Sequence, residues 1–412
     1  MGYFSTTKTI GILGGGQLGK MLLNTTRQWD INTHVLDPNN LAPARIGSNV
    51  FVQGDLMDYQ TVIDFGEKVD ILTIEIENVN AKALAYLEKK GVQVYPQAEV
   101  IEIIQNKCRQ KEFYKKNSIP TAPFQLFGSK ETLKDAIVRG LISFPFVWKS
   151  ESMGYDGYGV KIIRSNQDLE TINEGGCMAE DLVNIEKEIG VIVCRSVRGE
   201  TVSYPSVEME FHPTSNQVEY VLSPARISKT IEKKAQEIAR QVSIAYRHVG
   251  LLAVELFLTK EGEIWVNEVA PRPHNSGHYS IEASYTSQFE QHIRALLNLP
   301  LGSTENKVSG VMVNLVGAQN HQGLVHYKNM EHVLGIEGVY PHIYGKKETR
   351  PFRKMGHITI VNKNLETARK IAEQVKETIE VISIQYGTDR NYNGESIRPS
   401  RNGKSNRNFK RV

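Results

Sequence analysis

The sequence predicts a mixed α/β and α+β protein: a parallel, doubly wound first domain, a larger and mainly antiparallel middle domain, and a small C-terminal one. Three observations carry that prediction. From Lys8 to about Pro96, short apolar runs alternate with amphipathic stretches. The segment NSIPTAPF, with Pro120 and Pro123, then breaks any helix. Beyond it, two long apolar runs, LLAVELFLT and EIWVNEVA, flank the turn Lys260 to Gly262.

Element by element, the first domain reads as a strand over Thr9 to Leu13, a helix from Gln17, a strand over His34 to Leu36 and a helix over Tyr59 to Lys68. A strand over Ile71 to Ile76, a helix over Ala81 to Lys90 and a strand over Val92 to Tyr95 complete it. Strands separated by helices must run parallel, since each helix carries the chain back across the sheet. After the prolines come a helix near Lys130 to Arg139, the run FPFVWK (144 to 149) and a glycine-rich loop before VKII (160 to 163). Strand-like IGVIVCRSV (189 to 197) and EYVLSPA (219 to 225), then an amphipathic helix over Lys229 to His248, lead to the hairpin. The last block, Val311 to roughly Ile384, ends in HITIV (357 to 361) and a helix over Leu365 to Ile379. No internal repeat is present.

Bulk properties narrow the class. The 412 residues, 40% of them hydrophobic, suffice for two or three domains with real cores. No run of about 18 apolar residues occurs, and MGYFSTTKT is not an apolar leader, so a cytoplasmic protein that meets no membrane is expected. Cys108, Cys177 and Cys194 are widely spaced and read as buried thiols. The net charge of +3 is misleading: residues 389 to 412 hold seven Lys or Arg against two acids, leaving 42 basic and 44 acidic residues in the body. A balanced body offers no footprint for nucleic acid, and the basic stretch 386 to 412 reads as a disordered tail.

The first chemical signal is GILGGGQLGK (11 to 20). Gly14, Gly16 and Gly19 form a G-x-G-x-x-G turn directly after a strand, and Asp37 ends the next apolar run, where a ribose-binding acid of a dinucleotide site belongs. A NAD-dependent oxidoreductase is one reading of that turn. Three features of the middle block argue for other chemistry. Lys149 ends a strand and precedes GYDGYG (154 to 159), a loop whose backbone N–H groups can close over phosphate oxygens. Glu255 and Glu268 lie on neighbouring strands with Asn267 beside the second, a hard-oxygen set suited to Mg2+, with Mn2+ as a substitute. APRPHNSGHYS (270 to 280) packs Arg272, His274, Asn275, Ser276 and His278 next to them, donors suited to a developing phosphate charge. H-N-S-G-H is a poor frame for zinc.

Together these residues resemble the ATP-grasp superfamily of carboxylate-amine ligases: Lys149 with GYDGYG, EDLV (180 to 183) with Glu188, then VELF and VNE. Within it, GGGQLGKM (14 to 21), EIENV (75 to 79), APRPHNSGH (270 to 278) and RKMGH (353 to 357) resemble the N5-carboxyaminoimidazole ribonucleotide synthetases of purine biosynthesis, from Thr9 to about Ser383. The resemblance implies a Rossmann-like preATP-grasp domain over 1–108, an ATP-grasp domain over 109–300 with a small lid at about 122–182, and a C-terminal domain over 301–385. It implies an enzyme that uses ATP and Mg2+ to carboxylate 5-aminoimidazole ribonucleotide with bicarbonate, and a homodimer.

Carried over by position, the resemblance gives ATP phosphates to Lys149 and to the loop Gly154, Tyr155, Asp156, Gly157, Tyr158 and Gly159, with Arg109 approaching ATP as well. Glu180, Asp181, Leu182 and Val183 fall on the adenine edge, Glu188 on the ribose, and Asn267 and Glu268 at the phosphates. Glu255 and Glu268 become the Mg2+ ligands. Gly16, Gln17, Leu18, Glu75, Asn78, Arg350, Arg353 and Lys354 fall to the substrate nucleotide, while Arg272, His274, Asn275 and Lys354 serve catalysis. The glycine turn then faces the substrate ribonucleotide instead of NAD, and Asp37 becomes a strand-end turn residue with no site role. Met153 stands where the family has glycine, and residues 207 to 217 run one residue out of step, so His212 receives no role. A sister ligase, the formate-dependent glycinamide ribonucleotide transformylase, shares the ATP core. EIENV, HNSGH and RKMGH favour the carboxylating enzyme.

Overall fold

The computed structural model describes residues 7–152, 159–213 and 217–384. The basic stretch at the C-terminal end lies outside them, as do Gly154 to Tyr158. Among the described residues no helix is long and apolar enough to cross a membrane.

The first sheet has five parallel strands in the order Val50–Gln53, Asn32–Asp37, Thr9–Leu13, Ile71–Ile74, Gln93–Tyr95. The weak run VFVQ supplies the edge strand that hydropathy did not single out. Strand order reverses on either side of Thr9–Leu13, and in such sheets the crevice outside that strand's carboxyl end is where ligands bind. The glycine turn, Glu75 and Asp37 all gather there.

A second sheet, antiparallel, pairs Phe124–Phe127, Cys177–Asp181, Phe146–Ser150 and Val160–Ile163 in that order. Its inner face closes on Leu133, Phe146, Trp148, Ile163, Leu169 and Ala179.

The largest sheet has nine strands and is antiparallel wherever its strands pair. Its path runs Ile264–Ala270, Gly250–Thr259, Ile185–Arg195, Val207–Phe211, Val218–Ser223, Ser309–Val316, Lys354–Asn362, Val339–Ile343, with Thr201–Ser203 on the third. The C-terminal segment, expected as a small separate block, therefore supplies three strands to the sheet of the middle domain. Over this sheet lies the helix Lys229–Tyr246. Ser228 caps it by accepting from the Ile231 N–H, and its apolar stripe Ala235, Ile238, Ala239, Val242 and Tyr246 packs on Ile189, Val191, Leu252 and Val254. A further antiparallel sheet of three strands, Glu348–Thr349, Gly323–Lys328 and Glu380–Ile384, closes the C-terminal end.

One buried histidine ties the first domain to the middle one. His292 Nε2 meets Thr73 Oγ1 at 2.9 Å, and its Nδ1 accepts from the Leu251 N–H at 3.2 Å. The ring fits because position 250 is glycine: a Cβ there would stand 2.7 Å from the imidazole, on a backbone with φ of +98°.

Candidate active site

The hairpin Gly250–Thr259 and Ile264–Ala270 explains how three polar side chains converge. Val254 and Leu256 point to one sealed face of the strand, and Glu255 points to the other, where Leu251 and Ala253 are buried and Glu255 itself is only half-buried. Glu255 lies directly opposite Glu268, whereas Leu256 lies opposite Val266, so Asn267 is the extra residue of a β-bulge. A bulge puts two consecutive residues opposite one partner and re-aims them. Asn267 and Glu268 thereby both reach lysines: Lys149 Nζ is 3.0 Å from Asn267 Oδ1, and Lys107 Nζ is 3.2 Å from Glu268 Oε2.

Charge follows from this crowding. Burial pushes Glu255 up to about 8, helped by the neighbouring carboxylates of Glu268 and Glu188. Burial also raises Glu188, to about 7, with Glu268 adding to it. Glu268 goes the other way: Lys107 and Lys149 outweigh its burial and hold it below the ordinary carboxylate range. Acidic groups with so much unmatched charge suit a divalent cation. Among the described residues no cluster of three His, Cys, Asp or Glu ligands forms. Two carboxylates and an amide oxygen are hard donors of the kind Mg2+ takes, few enough to leave room for water and phosphate.

The predicted roles of several basic and acidic groups shift. Arg109 is exposed; the helix Lys107–Lys116 turns it away and brings Lys107 and Lys111 inward instead, four residues apart and so on one face. Both lysines were missed, although the cap Asn106, whose side chain accepts from the Arg109 N–H, marks where that face begins. Glu180 cannot offer a free carboxylate to adenine. It is 2% exposed, one oxygen accepts from Lys111, and the other lies 2.5 Å from Lys149 Nζ. Those two lysines overcome its burial and keep it ionised, whereas burial lowers Lys111 to about 8 in spite of Glu180. Any reading of adenine there falls to the main chain of 180–183, where Asp181 and Leu182 are exposed and Val183 half-buried. Gly159 takes φ of +75°, and its carbonyl accepts from the Ser150 N–H at 2.9 Å.

The loop after the hairpin is also partly committed. His274 Nδ1 accepts from the Ser276 N–H, which places the ring proton on Nε2, 3.4 Å from Glu255 Oε1. Arg272 Nε stands 2.9 Å from Glu77 of the first domain, an acid the sequence reading passed over. Asn275 and Asn314 exchange side-chain amide bonds at 2.9 and 2.8 Å, so the predicted catalytic amide instead fastens this loop to the strand Ser309–Val316. His278 is sealed in the interior, its ring tilted against that of His357 with centroids 4.6 Å apart, and is held by Gln288.

On the first-domain side, the amides that open the helix Gln17–Gln28 bind the protein's own carboxylate. Gly16 and Gly19 donate to the two oxygens of Glu75 at 2.8 and 2.9 Å, and a Cβ at Gly16 would fall 2.5 Å from that group. That helix N-terminus, part of the turn expected to face the substrate, is therefore already filled. Gln17 is half-buried, Leu18 belongs to the core, and Asn78 is exposed. Asp37 accepts from the N–H groups of Gly15 and Asn39, both at 2.7 Å, which bears out its reading as a turn residue. Beside this turn opens a cavity of about 380 Å3 whose lining includes Gly16, Asn39, Lys346, Lys347 and Arg353. Arg353 is held by the Glu348 carbonyl at 2.6 Å. Arg350 is exposed and does not line it. Lys354, the next residue along, has its charge felt at Glu255 and His278, which puts it on the side of the acidic pair.

Comparison with known proteins agrees along the chain. Residues 7–105 match the ribonucleotide synthetase preATP-grasp domain, 112–289 the ATP-grasp domain and 310–371 the phosphoribosylaminoimidazole carboxylase C-terminal domain. N5-carboxyaminoimidazole ribonucleotide synthase of Bacillus subtilis is 39% identical over 357 residues, 85% of this chain and 91% of that one. Phosphoribosylaminoimidazole carboxylase of Ogataea methanolica is 35% identical over 398 residues, 93% of this chain and 72% of its own. The crystal structure of the Thermotoga maritima N5-carboxyaminoimidazole ribonucleotide synthetase superposes with a TM-score of 0.84 at 42% identity, covering 92% of this chain and all of that one. The Aspergillus clavatus N5-carboxyaminoimidazole synthase in complex with ADP and 5-aminoimidazole ribonucleotide gives 0.82 at 32% identity, covering 90% and 98%.

Proposed function

We propose a division of labour among these residues from the premise that the chain belongs to the N5-carboxyaminoimidazole ribonucleotide synthetase family of ATP-grasp ligases. Its activity is the ATP-dependent carboxylation of 5-aminoimidazole ribonucleotide in purine biosynthesis. In our reading the carbon comes from bicarbonate, and ADP and phosphate leave. The observation that carries the reading is the bulged hairpin, with Glu255 opposite Glu268 and Lys107 and Lys149 at its rim.

Bicarbonate is a poor electrophile, so its hydroxyl must become a phosphate before the substrate's exocyclic amine can displace it or capture the CO2 it releases. Lys149 and Lys107 are placed to neutralise the transferring phosphoryl group. Glu255, Glu268 and Asn267 would hold Mg2+, which would supply Lewis-acid charge toward the phosphates when bound. Arg272, His274 and Lys354 surround the acidic pair and would orient bicarbonate and carboxyphosphate, His274 through its Nε2 proton. Glu188 would take the ATP ribose, and the main chain of 180–183 would read adenine. The cavity beside the glycine turn, with Lys346, Lys347 and Arg353, suits the substrate's own phosphate. A cytoplasmic homodimer belongs to the same proposal, and light scattering on the eluting protein checks the dimer.

The test is ADP release with Mg2+ and bicarbonate, run with and without 5-aminoimidazole ribonucleotide while labelled bicarbonate is followed into product. Stimulation by the nucleotide with one ADP per carboxylation is expected; ADP release indifferent to it would overturn the substrate assignment. Arg353→Ala is expected to raise the Michaelis constant for the nucleotide about tenfold or more, with that for ATP nearly unchanged. An effect confined to ATP would put the cavity on the wrong ligand.

A further inference from the structure

Lys111, Glu180 and Lys149 form a buried group with two ammonium ions and one carboxylate, brought together from the helix Lys107–Lys116 and the strands Cys177–Asp181 and Phe146–Ser150. All three are at most 7% exposed. The arrangement is asymmetric. Lys111 binds one Glu180 oxygen and also Thr121 Oγ1, whose own proton goes to the Val266 carbonyl at 2.7 Å, so Lys111 is fixed on two sides. Lys149 meets the other Glu180 oxygen and Asn267 Oδ1, at the edge that faces the acidic hairpin.

A lone Lys149–Glu180 pair would be neutral, and in a buried setting each charge would hold the other tightly. The second lysine changes that balance, because it leaves the group with one unit of positive charge that an anion can complete. We propose that Lys111 is a positioning residue for ATP: it occupies Glu180 permanently, so that Lys149 keeps only a shared counter-ion and can turn to the polyphosphate. This rests on the assignment of Lys149 to the ATP phosphates made above.

The charge balance supplies the test. Lys111→Met is expected to weaken ATP binding, read by calorimetry and by the Michaelis constant, about tenfold or more. The Michaelis constant for 5-aminoimidazole ribonucleotide should stay within about threefold. Lys111→Met combined with Glu180→Gln restores the single positive charge and should bind ATP within about threefold of the parent protein. The double variant removes one buried charge of each sign and keeps the parent group's net charge on Lys149, so it remains the test if the single one fails to fold. An ATP affinity unchanged in a folded Lys111→Met protein, or a folded double variant about tenfold weak, would overturn the proposal. Lys149→Met separates the two readings. If it leaves ATP binding intact, the phosphate assignment itself is lost; if it abolishes binding while Lys111→Met does not, only the role of Lys111 falls.

Discussion

Replacing Glu255 by Gln is expected to lower carboxylation on the order of a thousandfold while making the metal-free protein more stable. The activity loss follows from removing one of the two carboxylates placed to hold the cation. The stability gain follows from the sign of its ionisation. Folding raises Glu255 from the ordinary range to about 8. A raised acid costs the native state nothing below the unfolded value and progressively more as pH climbs toward the folded one. At neutral pH a neutral isostere should therefore stabilise on the order of 2 kcal/mol, and the gain should widen between pH 5 and pH 8. Glu268→Gln should abolish turnover equally but without that gain, because Glu268 is held below the ordinary range by Lys107 and Lys149. Thermal melts of the two variants in EDTA, alongside their turnover with Mg2+, check the pair. Equal stability changes would sink the electrostatic account, and normal turnover in either would sink the metal assignment.

The second large effect is acid lability. Burial lowers both His248 and His292 to about 3. Below the free-histidine value the unfolded chain takes up protons that the native one refuses, so stability is full above about pH 6.5 and is lost as pH falls toward 3. By pH 5 this amounts to roughly 2 kcal/mol for each of the two. Protonation of His292 would also take away the acceptor of the Leu251 N–H and so strike the junction between the first sheet and the hairpin strand. Urea titrations at pH 7 and pH 5 should show the loss. In His292→Gln the protein should start less stable at pH 7 and fall less steeply toward pH 5, and an unchanged slope would show that His292 is not one of the groups responsible.

Much of this architecture is legible from local pattern. The parallel first domain follows from alternating apolar runs, and the hairpin from its two long strands and Gly-containing turn, since both signals lie within a few residues of each other. What escapes is whatever depends on partners far along the chain. Arg109 and Lys107 are two positions apart, and only the packing of their helix decides which one faces Glu268. Glu75 reads equally well as a ligand contact, because its capture by the Gly16 and Gly19 amides requires a strand 56 to 59 residues away to end beside the turn. Asn275 looks catalytic until Asn314, 39 residues on, takes its amide. The bulge at Asn267 has no glycine or proline to announce it; register alone reveals it.

Shared strands also decide where this protein can be divided. Val218–Ser223 pairs with Ser309–Val316, and Tyr220 and Leu222 close on Val311 and Val313. A chain ended near residue 300 would leave that strand with an open ladder and a bare apolar face, a template for aggregation. A gene split or fused at that point would separate halves of one sheet. Among the described residues the four strands between Phe124 and Asp181 share no ladder with the rest, so they are the segment that evolution, or an engineer, could exchange as a cassette, provided the replacement keeps Lys149 and Glu180.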